Sequence, residues 1–188
     1  MFPNLNKNPL HYVFEDMKLQ QDGLWLEFGV FSGESINYIS NFTTNTVYGF
    51  DSFEGLPEKW RPGYEKGMFS LGGHLPKVNK NISLIKGWFN ETLEDFIKNQ
   101  NQKISFIHID CDLYSSTKYV LDTLKDHLAK DCVIVFDEFI NYDGYEHGEF
   151  KAFQEFNPVS YSWIGMNGTI GMEGKTHENV AVIIHSVQ

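Results

Sequence analysis

Short apolar runs alternate along this chain with segments in which apolar residues recur at helical spacing. The apolar runs predict seven strands, at about residues 24–29, 46–51, 82–86, 104–110, 132–136, 159–164 and 180–185. Helices are predicted at about residues 33–41 and 91–98, and again after residue 110, where Leu121, Leu124 and Leu128 recur on one face. This alternation indicates an α/β protein with a mostly parallel sheet, helices on both faces and a C-terminal antiparallel hairpin.

The chain length of 188 residues suits a single domain with one core. Residues 1–22 form an N-terminal extension ahead of the first predicted strand. Residues 52–81 are rich in glycine, proline and charge and predict a long loop. Long loops at the carboxyl edge of a parallel sheet commonly carry function. We therefore expect loop 52–81, together with residues 141–149, to border the active site.

Charge narrows the range of partners. A net charge of -10 and a pI near 5.1 oppose binding to nucleic acid or to an anionic membrane surface. The N-terminus lacks the features of a signal peptide, and no apolar run reaches membrane-spanning length, so we expect a cytoplasmic protein. Cys111 and Cys132 lie in apolar segments and predict buried thiols. A homodimer is the default expectation for the assembly.

Two glycines lie between the first strand and the following helix, in the segment from Glu27 through Gly29 and Gly33 to Ser35. Glycine lets the backbone approach a ligand closely, and the amides at a helix N-terminus point outward. The spacing is not that of the GxGxxG dinucleotide fingerprint, and an acid two residues before Gly29 suits an amino group better than a pyrophosphate. The segment predicts a ligand-binding turn, with an ordinary tight turn as the alternative.

Asp51 ends the second predicted strand. In doubly wound folds a carboxylate at this position accepts hydrogen bonds from ribose hydroxyls, so Asp51 and the glycine turn together suggest a ligand that contains adenosine. Trp88 and Phe89 follow the third strand and could form an aromatic wall for adenine. The alternatives are a strand-end cap for Asp51 and core packing for the two aromatic residues.

Acidic residues close two successive strands: Asp110 and Asp112 follow one, and Asp137 and Glu138 follow the next. The carboxyl ends of adjacent parallel strands meet at one edge of a sheet, so these side chains should converge. Carboxylates this close raise one another's pKa unless they share a proton or a metal ion. Hard oxygen donors favour Mg²⁺, with Ca²⁺ or Mn²⁺ possible. Separate acids that face solvent are the alternative.

Four motifs resemble those of a known family: Leu26 to Ser35, Tyr48 to Pro57, Ile107 to Thr117 and Val135 to Phe139. They occur in the order seen in the macrocin O-methyltransferase-like family of class I methyltransferases, which the chain resembles over about residues 24–156. This resemblance implies the Rossmann-like class I methyltransferase fold and a sugar hydroxyl as acceptor.

The resemblance also implies a cofactor, a metal ion and a general base for the site. It implies S-adenosylmethionine as cofactor, a Mg²⁺ ion on Asp110, Asp137 and Glu138, and Asp112 as candidate general base. Glu138 stands where the family commonly has Asp. The expected cofactor-binding residues are Glu27, Gly29, Gly33, Ser35, Asp51, Ser52, Trp88, Phe89 and Asp110.

The sequence therefore predicts an S-adenosylmethionine-dependent, Mg²⁺-dependent O-methyltransferase that acts on a hydroxyl of a small molecule, such as a sugar or a glycosylated metabolite. His108 is expected to pack on the far side of its strand. One rival is a metal-dependent hydrolase or hydroxylase that uses the same carboxylates. Another is a binding module that keeps the methyltransferase fold without turnover.

Overall fold

The computed structural model describes residues 2–187, which form one seven-stranded sheet with helices packed on both faces. The strands are β1 (Leu24–Phe28), β2 (Val47–Asp51), β3 (Ile82–Lys86), β4 (Ile104–Ile109), β5 (Leu128–Phe136), β6 (Ser160–Met166) and β7 (Val180–Ser186). The helices are α1 (Pro9–Glu15), α2 (Glu34–Ser40), α3 (Phe89–Lys98), α4 (Tyr114–Leu124) and α5 (Glu149–Phe156).

The strand order is β3-β2-β1-β4-β5-β7-β6. Strands β1 to β5 pair in parallel, whereas β7 runs antiparallel to both β5 and β6. The order reverses between β1 and β4, so a crevice opens beyond their carboxyl ends, where ligands bind in doubly wound folds. The α/β class, the parallel sheet and the C-terminal antiparallel pair are confirmed.

The core lies in two layers, one on each face of the sheet. On one face α3, α4 and α5 cover Phe28, Phe50 and Phe136; on the other, α1 and α2 cover Trp25 and Phe106. The central strands are apolar on both faces because helices cover both, as is usual for parallel sheets. Cys111 and Cys132 are buried free thiols, as predicted.

The structure differs from the predicted elements in three places. Leu128 begins β5 and does not continue α4, because α4 ends at Leu124 and a single 3₁₀ turn follows. Helix α5 was not predicted, although its buried Ala152, Phe153 and Phe156 have helical spacing. Helix α1 lies in the predicted N-terminal extension, where the Asn8 side chain accepts a hydrogen bond from the Leu10 amide and caps it.

The N-terminal segment packs against the last hairpin. The Leu5 amide donates to the Met166 carbonyl at 2.8 Å, and the Met166 amide donates to the Pro3 carbonyl at 2.9 Å. These bonds place α1 beside β6 and β7. Within residues 2–187, no helix has both the length and the apolar character needed to cross a bilayer.

Candidate active site

A cleft of about 560 Å³ opens at the carboxyl edge of the sheet, at the reversal of strand order. Residues that follow β1, β2, β3, β4 and β5 all line it, as do residues from loop 52–81. That loop contains no helix or strand, as predicted. The cleft is therefore built at the position that the fold favours for a ligand.

Gly29 forms the tight turn after β1 with φ +88°. A Cβ atom at this position would lie 1.7 Å from the Asp110 carbonyl oxygen, so the two backbone segments approach too closely for any side chain. The Asp51 carboxylate fixes the rest of the turn: Oδ2 accepts hydrogen bonds from the Val30 and Phe31 amides at 2.8 Å each. Gly29 and Asp51 thus form one rigid floor of the cleft.

Asp51 lines the cleft, as the sequence predicted, and it is also the cap of the turn. Its Oδ1 accepts from the Phe53 amide at 2.6 Å, so both oxygens are already bonded to backbone. A carboxylate has about four lone-pair positions, which leaves acceptor capacity for a ligand hydroxyl. Ribose binding by Asp51 stays a prediction. Ser52, Trp88 and Phe89 also line the cleft.

Glu27, Gly33 and Ser35 do not line the cleft, so contact between these residues and the cofactor stays a prediction. Glu27 is fully buried, and its carboxylate accepts from Ser35 Oγ at 3.1 Å and pairs with His108 Nδ1 at 2.8 Å. Burial raises the pKa of Glu27, and the His108 hydrogen bond opposes that shift. Gly33 instead provides the N-cap of α2 with φ +83°.

His108 is buried and does not line the cleft, which agrees with the packing role expected for it. Its Nδ1 is held by Glu27, and its Nε2 lies 4.0 Å from Asp137 Oδ1 with no hydrogen-bond partner within the described part of the chain. One ring nitrogen of His108 thus contacts Glu27 on the neighbouring strand β1, and the other lies nearest to Asp137. Burial opposes the charged form of His108, but the Glu27 carboxylate raises its pKa.

Asp110, Asp137 and Glu138 converge as predicted, with one oxygen from each within 4.8 Å of the others. The parallel pairing of β4 and β5 brings these residues together, since the Asp137 amide donates to the Ile109 carbonyl at 2.9 Å. Glu138 is buried, and its Oε2 has no hydrogen-bond partner among residues 2–187. Burial first, and the Asp137 carboxylate second, raise the pKa of Asp110 and that of Glu138 well above their ordinary values.

This arrangement fits a hard divalent cation. An unpartnered buried carboxylate oxygen beside two further carboxylates is costly unless a proton or a cation neutralises it. The donors are all oxygens, the set that Mg²⁺ and Mn²⁺ accept.

Asp112 lines the same cleft but does not belong to the group of three carboxylates. Its backbone has φ +62°, an uncommon conformation that Asp tolerates better than most residues. Burial and the Asp137 carboxylate raise the pKa of Asp112 to about 7, while Arg61 and Lys175 oppose the shift. A carboxylate with this pKa can accept a proton near neutral pH.

Loop 52–81 forms one wall of the cleft through Leu56, Pro57 and Phe69. Arg61 anchors the loop: its guanidinium pairs with Glu178 at 3.2 Å and lies 3.9 Å from the centre of the Trp60 ring. Sequence reasoning identified the loop but missed this anchor, because the partner is 117 positions away.

Two further residues make contacts next to the acids that the sequence did not predict. Asn179 donates from Nδ2 to the Asp137 carbonyl at 2.8 Å and to Asp137 Oδ1 at 2.5 Å. Glu149 was expected at the rim but is fully buried, and it accepts from the Glu138 amide at 3.3 Å. Neither position carries a local sequence signal, because both act through contacts made by the fold.

The fold and the cleft define a class: a doubly wound α/β protein with a cleft at the reversal of strand order and a carboxylate cluster in the lining of that cleft. The family model for the methyltransferase domain matches residues 26–139. The chain therefore belongs to the methyltransferase domain family, and the predicted enzyme class, a methyltransferase, is confirmed. A search of curated proteins found no significant match.

Solved structures of the same fold include CalS11, a calicheamicin methyltransferase, with a TM-score of 0.63 and 21% identity over 93% of this chain and 75% of that one. The O-methyltransferase NovP has a TM-score of 0.60 and 17% identity over 95% and 76% of the two chains. An O-methyltransferase from Bacillus cereus, solved with S-adenosylhomocysteine (SAH), has a TM-score of 0.56 and 12% identity over 93% and 78%. At these identities the likeness shows the fold.

Proposed function

We propose that this protein transfers a methyl group from S-adenosylmethionine to a hydroxyl of a small molecule, with the help of a divalent cation. The main support is that one cleft combines the turn fixed by Gly29 and Asp51 with the cluster of Asp110, Asp137 and Glu138. Membership of the methyltransferase domain family supports the methyl transfer. The hydroxyl acceptor rests on the resemblance to macrocin O-methyltransferases and on the O-methyltransferases of similar fold.

The cofactor end of the cleft has the groups that an adenosine ligand needs. S-adenosylmethionine supplies a methyl group activated by a sulfonium centre. Asp51 has acceptor capacity for the ribose hydroxyls, and Trp88 and Phe89 offer aromatic surface for adenine. The fixed Gly29 turn lets the ligand lie against the backbone. The Bacillus cereus protein of the same fold binds SAH, which supports this assignment.

Asp110, Asp137 and Glu138 would hold the cation in this proposal, since one oxygen of each lies within 4.8 Å of the others. The cation would supply Lewis-acid chemistry that makes the acceptor hydroxyl more acidic. Asp112 accepts the proton of the acceptor hydroxyl, since it lines the same cleft and its pKa is raised to about 7. Loop 52–81 helps to exclude water and to align the acceptor.

A sugar or a glycosylated metabolite is the acceptor that we propose. This rests on the resemblance to macrocin O-methyltransferases. It also rests on CalS11, a protein of the same fold described as a TDP-rhamnose 3'-O-methyltransferase. A screen of hydroxyl acceptors for SAH release should therefore begin with TDP-rhamnose.

Calorimetric titration of SAH into metal-free protein, with and without Mg²⁺, tests the proposal. We expect binding by the wild type, loss of binding in Asp51→Ala, and loss of the Mg²⁺ effect in Asp110→Ala. Asp122→Ala is the matched control, because Asp122 lies on α4 and pairs with Lys118, outside the cleft lining. Absence of SAH binding by the wild type would contradict the proposal and favour a metal-dependent hydrolase.

A further inference from the structure

Asn179 lies immediately before β7 and is 3% exposed. Its Nδ2 donates two hydrogen bonds to one residue, to the Asp137 carbonyl at 2.8 Å and to Asp137 Oδ1 at 2.5 Å. Within residues 2–187, Asn179 is the side chain that donates a hydrogen bond to the Asp137 carboxylate. The neighbouring His108 Nε2 is 4.0 Å away, beyond hydrogen-bond distance.

A second asparagine fixes which way the Asn179 amide points. Asn8 Oδ1 accepts from the Leu10 amide at 2.8 Å, so Asn8 Nδ2 is the end that faces Asn179. Asn8 Nδ2 donates to Asn179 Oδ1 at 3.1 Å. Asn179 Nδ2 must then face Asp137, because the oxygen end is already used as an acceptor. The chain of bonds from α1 to Asp137 therefore has one direction.

We propose that Asn179 is a positioning residue that holds the Asp137 carboxylate in the orientation that a divalent cation requires. The inference rests on the proposed function, and it adds a residue that neither the sequence nor the family match assigns. Asn179 donates to Oδ1 of Asp137, while Oδ2 accepts no hydrogen bond from a side chain within the described residues. Hydrogen bonds that orient a metal-binding carboxylate commonly change metal affinity by about 10- to 100-fold.

Mn²⁺ binding, followed by the loss of the free-ion signal in electron paramagnetic resonance, tests this role without an activity assay. We expect Asn179→Leu to bind Mn²⁺ at least tenfold more weakly than the wild type, because Asp137 loses its donor. Asn8→Ala should cause a smaller loss, since Asn179 keeps its contact but not its fixed orientation. Asn167→Ala is the matched control: Asn167 donates to the Thr176 carbonyl just before β7 but not to Asp137.

Circular dichroism and the thermal midpoint establish that each variant is folded, and SAH affinity gives a second readout. A positioning role predicts weakened Mn²⁺ binding with unchanged SAH affinity of the metal-free protein, whereas a merely structural role would change both. If Asn179→Leu does not fold, Asn179→Ser and Asn8→Ala carry the test, with the same expected direction.

The possible failures are distinguishable. Mn²⁺ affinity in the Asn179 variants equal to that of the wild type would overturn the inference and leave the proposed function intact. No Mn²⁺ binding by the wild type, with Asp137→Asn indistinguishable from it, would overturn the metal site and the inference together.

Discussion

Gly29 is the residue at which the backbone of the site is most tightly constrained. It has φ +88° and lies against the Asp110 carbonyl oxygen, where a Cβ atom would be 1.7 Å away. Gly67 has a similar φ of +84° but no atom within 4 Å of a Cβ placed on it. Alanine at Gly67 would therefore add only the strain of a positive φ, whereas alanine at Gly29 would add steric overlap as well.

We predict that Gly29→Ala lowers the free energy of unfolding by about 1–3 kcal/mol more than Gly67→Ala, because overlap adds to the shared strain of a positive φ. Urea denaturation of both variants measures the difference. Equal losses would show that the turn can move away from Asp110. That result would contradict the description of Gly29 and Asp51 as a rigid floor of the cleft.

Asp112 is the residue to which the account assigns proton transfer. Asp112→Asn should lower kcat by roughly 10²–10⁴, with SAH affinity unchanged, because Asn has nearly the same shape but cannot accept the proton. In the wild type, kcat/KM should rise with pH as Asp112 ionises; burial and Asp137 raise its pKa to about 7 in the metal-free protein, and a bound cation would lower it. Unchanged turnover in Asp112→Asn would remove Asp112 from the mechanism.

At the scale of elements, a buried ion pair ties loop 52–81 to the residues just before β7. Arg61 and Glu178 form an ion pair in which the side chains are only 14% and 7% exposed. Removing one partner of such a pair leaves a buried charge without compensation, which is more damaging than removing both. Lys59 and Glu65 form a second pair in the same loop, but their side chains are 59% and 62% exposed.

We predict that Arg61→Leu makes loop 52–81 more sensitive to limited proteolysis by chymotrypsin, and that the double variant with Glu178→Leu recovers part of the protection. Lys59→Leu is the control and should digest at the wild-type rate, because exposed pairs contribute little. Equal digestion of Arg61→Leu and Lys59→Leu would mean that the Arg61 anchor does not hold the loop.

The elements also show which parts of the structure the sequence could predict. Strand β3 was predicted with its observed bounds, and β1, β2 and β4 to within one residue at either end, because their apolar runs are short and bounded by turns. Helix α5 was missed because Glu149, its first residue, looks like a solvent-facing acid of a loop. Only its contacts with Thr117 and the Glu138 amide show that it is buried.

The convergence of Asp110, Asp137 and Glu138 could be predicted, because parallel strands bring their carboxyl ends to one edge. The positions of Glu27 and Asn179 could not. Glu27 is buried beneath the cleft by its pairing with His108 on another strand, and Asn179 reaches Asp137 from 42 positions away. Such contacts depend on which strands become neighbours, and no local pattern encodes that.

At the scale of the whole molecule, the buried acids make stability depend on pH. Burial raises the pKa of Asp110 and Glu138 well above their ordinary values and that of Asp112 from 3.8 to about 7. Between about pH 4 and 7 the native state therefore binds more protons than the unfolded state. By linkage, the stability of the metal-free protein falls as pH rises through this window.

We predict that the thermal midpoint of the metal-free protein, measured with EDTA, is lower at pH 8 than at pH 5.5. Mn²⁺ added without EDTA should raise the midpoint more at pH 8, because the cation binds the ionised carboxylates. Asp110→Asn should reduce both effects. A midpoint that does not vary with pH, or a Mn²⁺ effect equal at both pH values, would contradict the buried acid cluster as the source.

The central claim is that one cleft holds the methyl donor and a divalent cation side by side. A crystal structure of the protein with SAH and Mn²⁺, with the manganese located by its anomalous signal, tests this claim most directly. We expect a manganese peak bound by Asp110, Asp137 and Glu138, with SAH against Gly29 and Asp51 in the same cleft. Manganese bound elsewhere, or SAH outside this cleft, would contradict it.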